Sequence, residues 1–148
     1  MKKLKLFQNK FETISCLKKL GYKHTNTIFG ITNKKNKFCE IYFLNNSRKI
    51  NFILYEESQF IQIWIEKDKE LINIREWLIY KEERKSECLQ IDTSLELEKS
   101  FDKQKKCICE IFNHPDMENI LKGNDWWEEP LFSFYDYMDR DELLKKKK

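Results

Sequence analysis

Cys107-Ile108-Cys109, followed by His114, is the densest group of reactive side chains in this 148-residue chain. Two thiolates and an imidazole are zinc ligands, and a structural zinc site closes with four such groups. The sequence offers no second pair. Cys16, Cys39 and Cys88 are scattered, and His24 is the other histidine. No metal site is therefore expected. An odd total of five cysteines without a secretion signal predicts reduced thiols, with Cys16 and Cys107 acting as small apolar residues. His24 and His114 are the candidate general bases, but neither has a nucleophile beside it in the sequence. Glu56 and Glu57 fall at a strand end and read as surface. The three glycines, Gly21, Gly30 and Gly123, lie too far apart for a phosphate-cradling loop, and no GxSxG, HExxH or DxDxDG pattern occurs. Catalytic residues: none expected. Cofactors: none expected. The chain reads as a non-enzyme.

Charge is more informative than reactive groups. Residues 1–50 carry 12 Lys and Arg against 2 Asp and Glu, whereas residues 51–144 carry 12 against 23. The front is basic and the back acidic, although pairing between the halves would absorb much of this. Ala and Val are absent while Lys and Asn abound, so the lysine total reflects compositional bias rather than a nucleic-acid signal. The basic front still defines an alternative function, a nucleic-acid-associated module. Lys34, Lys35, Lys37, Arg48 and Lys49 would meet phosphates, and Tyr42 or Phe43 would stack bases. Glu66 beside Trp64 and the acidic back oppose that reading.

The elements that must position these groups begin with residues 27–68. Ile50, Phe52 and Leu54 alternate with Asn51, Ile53 and Tyr55, and Ile61, Ile63 and Ile65 alternate with Phe60, Gln62, Trp64 and Glu66. Period-two patterning makes strands, with the three isoleucines on the core face and a mixed face opposite. Asn33 to Asn36, Asn45 to Ser47 and Glu57-Ser58 are turns short enough to force antiparallel neighbours. Before this meander, Leu4, Phe7, Phe11, Ile14, Leu17 and Leu20 predict one amphipathic helix over residues 3–20, capped by Gly21. After it, residues 69–85 read as a helix or irregular start followed by a strand. Thr93-Ser94-Leu95-Glu96 has capping-box form and predicts a helix over residues 94–112 with Leu97, Phe101, Ile108, Ile111 and Phe112 inward. Pro115 opens a short helix ended by Gly123. The expected architecture is α+β: an antiparallel β-meander of about four to six strands packed against two main helices in two layers. Residues 1–148 form a single domain, with about 143–148 frayed.

The last distinctive stretch, residues 125–142, holds seven carboxylates and six aromatic rings. So many rings either close over the sheet's mixed face or anchor a partner. No apolar run approaches the roughly 20 residues of a bilayer span, so no membrane role is expected and the chain reads as cytoplasmic.

Asn119-Ile120-Leu121-Lys122-Gly123-Asn124-Asp125-Trp126, ending a C-terminal helix after a meander and a long helix, resembles the ending of immunity proteins from bacterial polymorphic-toxin systems. The resemblance covers these residues and the α+β layout. It implies a small cytosolic inhibitor whose partner is a cognate protein toxin, masked by binding rather than chemistry. An acidic, aromatic surface suits a basic toxin, because carboxylates steer the encounter and rings anchor the complex. The expected partner-binding residues are Asp125, Trp126, Trp127, Glu128, Glu129, Tyr135, Asp136, Tyr137 and Asp139.

Overall fold

A computed structural model describes residues 2–81 and 84–128. Five strands form one antiparallel sheet in sequence order: β1 Lys23–Ile31, β2 Lys37–Leu44, β3 Lys49–Tyr55, β4 Gln62–Lys67 and β5 Glu70–Asn73. The short turns fall where Asn and Ser placed them. At the β2–β3 turn, Asn45 Oδ1 accepts from the backbone N–H groups of Ser47 (2.8 Å) and Arg48 (2.7 Å). At the two-residue β4–β5 turn, Asp68 adopts φ +53°, a left-handed conformation that Asp tolerates.

Alternation assigns the two faces as expected. Ile41, Phe52 and Ile63 stand in register across β2, β3 and β4, as do Phe43, Ile50, Ile65 and Ile72 across β2 to β5. All are buried and belong to one core. Helix α1 (Lys2–Phe11) and helix α4 (Leu97–Phe112) cover this face, with α2 (Ser15–Lys19), α3 (Ile74–Tyr80) and α5 (Pro115–Leu121) around its ends. Phe52 sits at the junction. Its ring meets Phe11 at 5.8 Å, Phe43 at 5.6 Å and Phe112 at 6.3 Å between centroids.

Three sequence expectations are corrected. The helix over residues 3–20 is two helices, broken where Ile14 turns extended (φ −57°, ψ 120°). The break lets Phe11, Ile14 and Leu17 all reach the core, and it brings the Glu12 carboxylate to β1. Within the stretch 69–85, residues 70–80 run strand then helix, not helix then strand. Ile72 pairs with Ile65 on the core face, and Asn73 then caps α3 by accepting from the Arg75 N–H at 2.9 Å. Helix α4 starts at Leu97 rather than Ser94, with no capping-box bond. The Ser94 hydroxyl instead donates to Asp92, and Ser100 Oγ accepts from the Asp92 N–H at 2.8 Å, so the preceding loop is tied into the helix.

The cysteines are corrected most. Cys16 on α2 is bonded to Cys109, and Cys88, in the 3₁₀ turn Arg84–Leu89, is bonded to Cys107. Neighbours two apart on a helix point to different sides. The CxC of α4 therefore reaches two different elements rather than one metal. Cys39 is the free thiol among the described residues, and burial pushes it up to about 12, with Glu12 adding to the shift. An odd count thus does not mean reduced thiols here. Paired cysteines are what oxidising environments preserve. Among the described residues no helix is long and apolar enough to cross a membrane.

Candidate functional site

The segment that follows α5 is built into the fold by its glycine. Gly123 has φ +85°, and a Cβ there would lie 2.5 Å from Ser47 Oγ in the β2–β3 turn. Only glycine meets both conditions. Gly123→Ala is expected to destabilise the protein by about 1–3 kcal/mol, measured by chemical denaturation. A loss under about 0.5 kcal/mol would show that the turn does not press on this helix end. Behind the glycine, the N–H groups of Asn124 and Asp125 donate to the Asn119 carbonyl at 2.9 and 3.3 Å.

Arg48 fixes what comes next. It is buried, with Nη2 donating to the Asp125 carbonyl at 2.9 Å and Nη1 to the Ser47 carbonyl at 3.0 Å. Its guanidinium lies 5.0 Å from the Trp126 ring centroid, and Lys67 Nζ lies 5.4 Å from the same ring. Trp127 packs against Tyr80 of α3 at 5.5 Å. Both tryptophans are half-buried against the core, whereas Asp125 and Glu128 are exposed. Residues Asp125 to Glu128 therefore form a ledge, with rings held by the fold and carboxylates turned to solvent. Glu129, Tyr135, Asp136, Tyr137 and Asp139 lie outside the described residues.

The open face of the sheet is the second candidate. Tyr42, Asn51, Trp64 and Asn73 stand in one row across β2 to β5, and Leu44, Lys49, Glu66 and Leu71 in the next. Lys49 Nζ is 4.9 Å from the Tyr42 ring centroid and 3.8 Å from the Glu66 carboxylate. The Tyr42 hydroxyl donates to Glu40, and burial with that carboxylate pushes it up to about 12. The basic residues of the nucleic-acid reading are dispersed by the fold. Arg48 serves the ledge, Lys49 the open face, and Lys34, Lys35 and Lys37 the β1–β2 hairpin. Phe43 is buried on the other face. Charge of the two halves is also paired internally: Lys10 reaches Glu98 (3.2 Å) and Asp102 (2.9 Å) between α1 and α4.

The histidines take different roles. His114 is the N-cap of α5, its Nδ1 accepting from the Asp116 N–H at 3.2 Å, and its ring meets Trp77 edge-on at 5.3 Å. His24 belongs to a cluster that the sequence did not reveal. Its Nε2 lies 2.8 Å from Thr27 Oγ1 and 3.3 Å from the Glu12 carboxylate, which also accepts from Thr27. Strand alternation would put His24 and Thr27 on opposite faces, but the register shifts between His24 and Asn26 and brings them together. The shift has no signal in the sequence. One imidazole nitrogen faces both partners, so the carboxylate does not orient the ring through its other nitrogen as a nucleophile-activating triad requires. The cluster ties the end of α1 to β1 beside a shallow cleft of about 420 Å³ floored by Ile14, Leu17, Tyr22 and Phe43. Among the described residues no three His, Cys, Asp or Glu side chains converge on a metal site.

Comparison with known proteins finds no match to a protein family, a curated protein or a solved structure.

Proposed function

We propose that the protein is a non-enzymatic, protein-binding inhibitor of the immunity type, whose partner is a basic protein toxin met at the Asp125–Glu128 ledge. The observation that carries the reading is the ledge's construction: Trp126 held by Arg48 and Lys67, Trp127 held by Tyr80, and Asp125 and Glu128 exposed beside them. Rings fixed before docking lose little conformational freedom on binding, and exposed carboxylates steer a cationic partner. The resemblance of residues 119–126 to immunity-protein endings supports the same surface. The fold gives those residues a structural duty as well, since Gly123 and Arg48 fasten them to the β2–β3 turn.

Reversing Glu128 and Glu129 to Lys is expected to slow partner association by about tenfold at low salt, with the difference shrinking as salt rises. Pull-down from the native cell with the wild-type and reversed proteins identifies the partner, and stopped-flow mixing measures the rate. A basic protein bound by the wild type, inhibited by it, and bound more slowly by the reversed form supports the proposal. Equal association rates, or recovery of nucleic acid that is lost on replacing Lys34 and Lys35, would overturn it in favour of the nucleic-acid module.

A further inference from the structure

Strand β1 ends the sheet, and among the described residues no strand pairs with its outer edge. It is nine residues long and exposed over most of its length, with Ile28 43% and Ile31 58% accessible. A long unpaired edge is a template for another strand, because its outward N–H and C=O groups have no ladder partners. The exposed charges at its two ends are lysines. Lys23 opens the strand, Lys34, Lys35 and Lys37 surround its far end, and all four are exposed. Two partly buried carboxylates lie nearby: Glu12 is held by Thr27 and His24 of β1 itself, and Glu40 accepts from the Tyr42 hydroxyl.

These lysines select among occupants. Antiparallel pairing with a second copy would set Lys23 of one chain against the lysine-rich hairpin of the other, and repulsion disfavours it. The same lysines attract an incoming strand that carries carboxylates. We propose that the outer edge of β1 docks an extended acidic segment of a partner protein by strand addition, its backbone pairing with β1, its carboxylates meeting the flanking lysines and its alternate apolar residues covering Ile28. This surface is distinct from the Asp125–Glu128 ledge, whose contacts lie at the β2–β3 turn, Lys67 of β4 and Tyr80 of α3.

The probe is a capped peptide of nine residues, matching β1 in length, with Glu at alternate positions and Ile or Thr between them. Titrated into the wild-type protein, it is expected to slow hydrogen exchange of alternate β1 amides by about tenfold or more, leaving α4 unchanged. The same peptide with Lys in place of Glu should give no protection, and neither should an acidic peptide N-methylated along its pairing edge. Lys34→Glu with Lys35→Glu should weaken the acidic peptide by about tenfold at low salt. Glu128→Lys should leave its binding unaltered, which separates this surface from the ledge. Three results overturn the proposal: β1 amides unprotected at saturating acidic peptide, equal protection by the Lys peptide, or a dimer that already protects β1 without peptide. Displacement of the peptide by a mixed-sequence oligonucleotide at lower concentration would assign the lysines to phosphate instead. The peptide series uses the wild-type protein, so the outcome does not depend on how well the variants fold.

Discussion

Replacing Phe52 by alanine is expected to remove about 3–5 kcal/mol of folding stability. Phe52 is fully buried at the centre of β3, flanked in register by Ile41 on β2 and Ile63 on β4. Its ring touches rings from α1, β2 and α4, so its loss opens a cavity where the two layers meet. Close-packed interiors collapse only partly around such a cavity, which adds to the lost transfer free energy. Aromatic pairs contribute about 0.5–1.5 kcal/mol each beyond burial, which favours the upper part of the range. Urea denaturation followed by circular dichroism measures the change. A loss below about 1 kcal/mol would mean that the helices do not rest on this face of the sheet.

Opening the Cys16–Cys109 disulfide is the second large effect, a loss of about 4–5 kcal/mol. The bond joins residues 93 apart, and the entropy that a cross-link removes from the unfolded chain grows with the logarithm of the loop. The Cys88–Cys107 bond closes 19 residues and is expected to contribute about 3 kcal/mol. Cys16→Ser with Cys109→Ser isolates the longer loop without leaving a stray thiol. Thiol titration supplies an independent check. Unfolded, unreduced protein should show one reactive thiol, from Cys39, and five after reduction. Five thiols before reduction in protein taken from its native compartment would disprove both bonds and restore the expectation of free cysteines.

Both predictions bear on the ledge, because its position depends on the same packing. Arg48 follows directly from the β2–β3 turn, and Tyr22 anchors the opposite side of α5 by donating to the Leu121 carbonyl at 2.7 Å. Loosening the sheet or α5 would release Trp126 along with them. The fold therefore sets the surface offered to a partner as much as the acidic composition does.

The sequence by itself determined the meander, its turns and the face that each strand buries. These follow from local chemistry, since alternate residues must point to opposite sides and Asn, Ser and Asp accept the turn conformations. It also determined that Asp125 to Glu128 carry rings and carboxylates together. Only the tertiary structure decided the rest. The order of strand and helix after Asp68 depended on Ile72 finding Ile65, and the break after Phe11 on burying Ile14 while Glu12 reached β1. The cysteine pairs join α4 to elements that chain distance does not mark as neighbours. Arg48 reads as one of several basic residues, yet burial made it the residue that holds Trp126 and Asp125 in place. In each case a contact between elements settled what local pattern left open, because a local preference is worth at most about 1 kcal/mol whereas burying one large side chain is worth about 1.5–3 kcal/mol.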